Sequence, residues 1–138
     1  MKFVLDTNII LSALIKNSLS RKIITNLDFD FFTPSFALSE ISKYKGYVCS
    51  KAKINEKQFE LLFNKIFEYV KIFPLDYYKK HIPQSVRLIQ DKKDAPFLAC
   101  AIALNSFVLS NDMHFKKQTK IKVFTMQEFV RKFLKKTR

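Results

Sequence analysis

A chain of 138 residues, 48% of them hydrophobic, suits one domain with a sizeable core and leaves little length for a second. Lysine and arginine number 25 against 12 acidic residues, a net charge of +13 that attracts polyanions, so nucleic acid leads as a partner class ahead of an anionic membrane surface or a basic surface that only solubilises. A single glycine, Gly46, excludes Gly-rich phosphate loops, and two distant cysteines argue against zinc and against a disulfide-built secreted fold. No apolar run approaches the ~18 residues of a membrane span, so no transmembrane helix is expected and the cytoplasm is the expected location.

In chain order, residues 2–5 read as a short apolar strand, followed by helices over 9–16 and about 20–27. Residues 29–33 read as a strand ended by Pro34, which suits the first turn of a helix running to about Tyr44. Gly46 and the polar stretch after it read as a linker. Helical periodicity returns over 56–69 through Phe59, Leu62, Phe63, Ile66 and Phe67. A strand over 70–73 closes at Pro74. Asp76 is expected to cap a helix that Pro83 interrupts and that resumes over 85–90. Residues 94–104 form a strongly apolar helix, 107–109 and 121–124 short buried strands, and 127–135 a closing helix with Phe129, Val130, Phe133 and Leu134 inward. The 15 phenylalanines fall mostly inside these periodic segments, as core residues would. Strand–helix alternation predicts one α/β domain with a mainly parallel sheet over residues 1–138.

Open parallel sheets bind ligands beyond the carboxyl ends of their strands. Asp6 directly follows the first strand, and Asp112 follows the fourth after Ser110 and Asn111. Asp94 opens the helix that feeds the fourth strand; such a helix runs back across the sheet, so its start lies at the same rim. Glu40 lies about two turns into its helix, on the face shared by Phe36, Ala37, Ile41 and Tyr44. A carboxylate on an apolar face is partly desolvated and needs a partner. At ~4 Å and an effective dielectric of ~20, each carboxylate pair costs about 4 kcal/mol. Converging acids must therefore protonate or be neutralised by cations. Oxygen ligands suit Mg²⁺ or Mn²⁺, ions that bind phosphate oxygens, lower the pKa of water and stabilise a leaving oxygen. Helix capping is the alternative for each aspartate: Asp6 ahead of Thr7, Asp94 ahead of Ala95 with Pro96 in the first turn, Asp112 at a turn. Capping leaves Glu40 unexplained. Asp76 is assigned to capping and Asp91 to a solvated linker.

Four segments, "FVLDTNIILSAL", "TPSFALSEI", "DKKDAPFLACAIAL" and "FVLSNDMHF", resemble in order the acid-bearing segments of the PIN-domain (PilT N-terminus-like) nucleases. The resemblance implies a five-stranded, mainly parallel sheet of order 3-2-1-4-5 between helices. It implies that Asp6, Glu40, Asp94 and Asp112 hold Mg²⁺ or Mn²⁺, with Asn8 and Ser110 supporting them through hydrogen bonds; capping or turn chemistry accounts equally for the latter two. The implied activity is endonucleolytic cleavage of RNA. Many small relatives are toxins of VapC-type toxin–antitoxin pairs, with a small antitoxin partner and frequent homodimers. His114 stands where many relatives carry a further aspartate, and is expected to be a hydrogen-bonded structural residue. Residues 42–57 match typical toxins poorly.

Lysines flanking the acids are candidate phosphate contacts, foremost Lys43, Lys93 and Lys116, with Lys45, Lys92 and Lys117 beside them. Arg131, Lys132, Lys135, Lys136 and Arg138 are expected to solvate the last helix and tail. The rival reading is a noncatalytic RNA-binding module or scaffold of the same fold, which explains the charge but not Glu40. A phosphoryl-transfer enzyme with Asp6 as nucleophile would usually carry a second aspartate where Asn8 stands.

Overall fold

The computed structural model describes residues 1–134. Its centre is β1 (Lys2–Leu5), whose Phe3, Val4 and Leu5 are fully buried. A parallel strand covered on both faces has no polar side to show, which is why this strand reads as an unbroken apolar run. Around it stand β2 (Asp30–Pro34), β3 (Val70–Phe73), β4 (Phe107–Leu109) and β5 (Val123–Phe124). All pairings are parallel, and the order is β3-β2-β1-β4-β5. The chain builds outward from β1 to β3 and then returns to lay β4 against β1. The strand order therefore reverses between β1 and β4, the place where such sheets open a crevice.

Side chains alternate across β1 and divide the core. Phe3 and Leu5 join one apolar cluster, packed with α1 (Thr7–Ile15), α2 (Leu19–Ile24), α4 (Lys45–Ala52), α5 (Glu56–Ile66) and α9 (Met126–Phe129). Val4 joins the other, with Tyr78 of α6 (Leu75–Tyr78), Ile89 of α7 (Ile82–Ile89) and the buried face of α8 (Ala95–Leu104). The remaining helix, α3 (Phe36–Lys43), follows β2 and sends Ile41 to the first cluster and Ala37 to the second. Phe3 sits among the rings of Phe29, Phe31, Phe107, Phe124, Phe129 and Phe133, with centroids 5.0–6.1 Å away.

Several local expectations change. The stretch expected as a linker is helix α4, because buried Val48 anchors it and outweighs the low helix propensity of Gly46; Lys53, at φ 58°, ends it in the left-handed region. Pro34 is not in the helix but ends β2, paired in register with Phe73. Asp76 does not cap α6: Pro74 holds the cap position, and Asp76 lies in the first turn, 3.6 Å from the Lys79 ammonium. Pro83 interrupts nothing, since it stands in the first turn of α7, where its missing N–H is harmless. β5 is shorter than expected because Gln118 binds the main chain of Ile121 and holds it in a turn. The closing helix passes from α9 into a π-helical turn, Val130–Leu134; residues 135–138, with Lys135, Lys136 and Arg138, lie outside the described residues. Among the described residues no helix is long and apolar enough to cross a membrane. Cys49 and Cys100 are both free thiols, and burial pushes the Cys100 thiol upward.

Candidate functional site

At the reversal point, β1 turns straight into α1 through Asp6. Asp6 is the N-cap of α1, accepting a hydrogen bond from the Ile9 amide at 3.1 Å through Oδ1. Its other oxygen, Oδ2, accepts a hydrogen bond from the Ser110 hydroxyl at the end of β4. Only 5% of Asp6 is exposed, and burial pushes its carboxyl up to about 6. The Ser110 and Ile9 bonds pull in the opposite direction, while the charges of Asp112 and Glu40 add to the rise.

Glu40 reaches the same place from α3. Buried Thr7, the first residue of α1, donates its hydroxyl to Glu40 Oε1 at 2.5 Å. This hydroxyl is the partner that a carboxylate on an apolar face requires.

Asp94 stands in the N-cap position of α8, yet its side chain caps nothing. The tight turn before it is held by the Asp91 carbonyl, which accepts from the amides of Asp94 and Ala95, and by the Asp91 carboxylate, which accepts from the Lys93 amide at 2.8 Å. Asp94 Oδ2 is buried with no hydrogen-bond partner among the described residues. Burial pushes the Asp94 carboxyl up to about 6, helped by the charges of Asp91 and Asp112 and opposed by His114.

Asp112 opens the 3₁₀ turn Met113–Lys117 and accepts from the His114 amide at 2.9 Å. The His114 ring contacts the same oxygen through Nδ1 at 3.0 Å. His114 is exposed and the one hydrogen bond it donates among the described residues is made by its amide, while one ligand atom each from Asp94, Asp112 and His114 lie within 4.8 Å of one another.

Asp6, Glu40, Asp94 and Asp112 all open on one cleft. Capping accounts for one oxygen of Asp6 and one of Asp112, and for nothing at Asp94 or Glu40. Of the two expected supporting residues, Ser110 bonds Asp6, whereas Asn8 is exposed on the cleft wall with no side-chain hydrogen bond among the described residues. Of the three foremost lysines, Lys93 lines the cleft. Lys43 lies exposed at the end of α3, off the cleft walls. Lys116 lies off the walls of this cleft, and its ammonium donates to both oxygens of Glu128, at 2.6 and 2.7 Å, where Glu128 completes the capping box of α9. That bond also holds the Glu128 carboxyl below its ordinary range.

Sequence reasoning missed Thr7 as the partner of Glu40 and Asp91 as a wall of the cleft. Thr7 carried a signal, a small hydroxyl residue directly after the strand-end acid. Asp91 carried none, since it looks like any turn aspartate.

The donor set is oxygen-dominated, with one imidazole, and Lys93 is the one basic residue on the walls among the described residues. Burial raises two of these carboxyls, and the Asp94 oxygen has no partner among the described residues to offset it. These residues fit a hard divalent cation. The molecule is thus a parallel α/β protein with a carboxylate-walled crevice at the reversal point of its sheet.

The family model described as PIN domain matches residues 4–132, and the chain belongs to the PIN-domain family. Comparison with curated protein sequences finds no match. The fold is similar to a chain of VapBC2 from Rickettsia felis bound to a DNA fragment from their promoter, with TM-score 0.68 and 19% identity over 91% of this chain and 98% of that one. It is also similar to a chain of FitAB bound to the IR36 DNA fragment, with TM-score 0.61 and 16% identity over 91% of this chain and 95% of that one. A chain of FitAcB from Neisseria gonorrhoeae aligns with TM-score 0.58 and 16% identity over 92% of this chain and 99% of that one. At these identities the likeness is one of fold.

Proposed function

We propose that the chain is a single-domain, metal-dependent endoribonuclease in which Asp6, Glu40, Asp94 and Asp112 hold Mg²⁺ or Mn²⁺. The observation that carries this reading is the convergence of four carboxylates on one cleft with a buried Asp94 oxygen that has no hydrogen-bond partner among the described residues. When bound, a divalent cation neutralises phosphate oxygens and makes water a competent nucleophile near neutral pH.

The remaining work falls to side chains. Ser110 fixes one oxygen of Asp6, so the carboxylate meets the cation in one orientation. Thr7 does the same for Glu40. Lys93, at the cleft wall, is placed to hold a phosphate without reading a base. His114, beside Asp94 and Asp112, is within reach of the same ligand. The excess of 25 basic over 12 acidic residues supports a polyanionic substrate. Likeness to chains of VapBC2, FitAB and FitAcB supports a toxin role with an antitoxin as partner; a homodimeric state and a cytoplasmic location belong to the same reading and rest on the family resemblance alone.

The test is RNA cleavage by the wild type with Mn²⁺, the wild type with EDTA, and Asp112→Asn with Mn²⁺. Cleavage in the first arm alone is expected. Binding of RNA without cutting under any metal would overturn the reading, as would calorimetry in which neither Mg²⁺ nor Mn²⁺ binds.

A further inference from the structure

A second cleft adjoins the acidic one. The two share Asp6, Asn8 and Asp112 as a common wall, and the other walls of the second are Ile9, Ser12, Ser20 and Asn111. The chemistry changes across that wall. Beyond the shared acids, the second cleft has no charged residue, and its polar groups are hydroxyls and amides.

Ser20 is the unusual member. It is only 5% exposed, yet its hydroxyl has no hydrogen-bond partner among the described residues. That hydroxyl keeps contact with solvent, since Asp94 Oδ2 is the one side-chain polar atom among the described residues that is both wholly buried and unpartnered. The side chains of Asn8 and Ser12 are likewise without a partner among the described residues, while Asn111 Oδ1 accepts from the Met126 amide and leaves its NH₂ free. The wall carrying Ser12 and Ser20 is also held in place. The Ser18 hydroxyl donates to the Ser12 carbonyl at 3.3 Å, and Arg21 Nε donates to the Ala13 carbonyl at 2.8 Å, tying α2 to α1.

A phosphodiester carries a nucleoside on each side. With a phosphate at the acidic cleft, the second cleft, sharing the Asp6–Asp112 wall, is within reach of a flanking nucleoside. A neutral pocket rich in groups that both donate and accept matches a sugar hydroxyl, which does the same. A second phosphate would instead face Asp6 and Asp112 with no basic residue on the walls. We propose that the second cleft seats the ribose of the nucleotide next to the scissile phosphate, with Ser20 bonded to its 2′-hydroxyl and Ser12 and Asn8 beside it. The proposal rests on the nuclease reading of the neighbouring site. It gives that site a reason to prefer RNA, because the 2′-hydroxyl is what distinguishes the two nucleic acids.

The experiment compares single-turnover cleavage of one RNA oligonucleotide with copies carrying a single 2′-deoxy substitution at each position around the mapped cut. It is run with Mn²⁺ on the wild type, Ser20→Ala and Ser12→Ala, each checked for folding by thermal melting. In the wild type, one flanking position should slow about tenfold when deoxy, the size of one lost hydrogen bond. Ser20→Ala should slow the all-ribose strand about as much, and the deoxy substitution should then add less than about twofold, because the partners are coupled. If Ser20→Ala does not fold, Ser20→Cys, which nearly keeps the side-chain volume and weakens the hydrogen bond, carries the same comparison. A full deoxy penalty persisting in both variants, or no sensitive position at all, overturns the subsite and leaves the nuclease intact. No cleavage of any RNA by the wild type overturns the nuclease reading and the subsite with it.

Discussion

The Ser110 hydroxyl binds Asp6 Oδ2 across the seam between β4 and β1, joining residues 104 positions apart. The same Ser110 oxygen accepts from the Asp112 amide at 3.0 Å, so one side chain sets the spacing of two acids. Ser110→Ala should therefore weaken Mn²⁺ binding by about 10- to 100-fold. It should also cost about 1–3 kcal/mol of stability, since a buried carboxylate oxygen loses its partner. Calorimetry and urea unfolding read the two effects separately, and an unchanged metal affinity would remove Ser110 from the site.

Asp94→Asn should move stability and metal binding in opposite directions. Its carboxylate is repelled by neighbours and has an unpaired buried oxygen, so removing the charge should raise the melting temperature of the metal-free protein by about 2–5 °C. The further rise that Mn²⁺ produces in the wild type should disappear in the variant. A variant that melts lower without metal and still gains from Mn²⁺ would contradict both halves.

The pH dependence has a definite sign. Asp6 and Asp94 are raised from 3.8 to about 6 by burial, so folding favours their protonated forms. Their contribution is fully present below about pH 4 and is lost as pH rises through about 6. For Asp6, 5% exposed, the difference between those limits is about 3 kcal/mol. Metal-free protein should accordingly lose stability from these groups between about pH 4 and pH 7, with little further change above that. Mn²⁺ competes with protons for the same oxygens, so its affinity should fall below about pH 6. Melting curves across this range with and without Mn²⁺ would show parallel profiles if the acids do not hold the ion.

Lys93 and Lys116 should separate cleanly. Lys93→Ala should weaken RNA binding and reduce the slope of log affinity against log salt by about 1, the signature of one phosphate contact. Lys116→Ala should leave RNA affinity within about twofold and cost up to about 1 kcal/mol of stability, since it removes an ion pair to Glu128. Equal effects on RNA would return Lys116 to the substrate path.

What could be read in advance follows from where the information lies. The strands were legible because central parallel strands are buried on both faces and show as apolar runs, as Phe3–Val4–Leu5 does. Three acids could be placed at one rim by chain order alone, and Glu40 stood out because its helical neighbours are apolar. Helix α4 was hidden by Gly46 and by polar residues whose single buried anchor, Val48, has no local mark. The ion pair of Lys116 with Glu128 could not be read in advance, because its partner lies 12 residues on, on an element whose position only the tertiary fold supplies. Ser12 and Ser20 look like solvated helix serines until α1 and α2 are packed together.

The late return of the chain to lay β4 beside β1 has a consequence for timing. Two of the four carboxylates, Asp94 and Asp112, lie in the last third of the sequence, and the oxygens of Asp6 and Glu40 have no companions before them. During synthesis the first three strands can pair while the cleft still lacks half its charge. Prematurely ended chains carry an incomplete site, so the activity proposed for it would be withheld from the nascent polypeptide until most of it has left the ribosome.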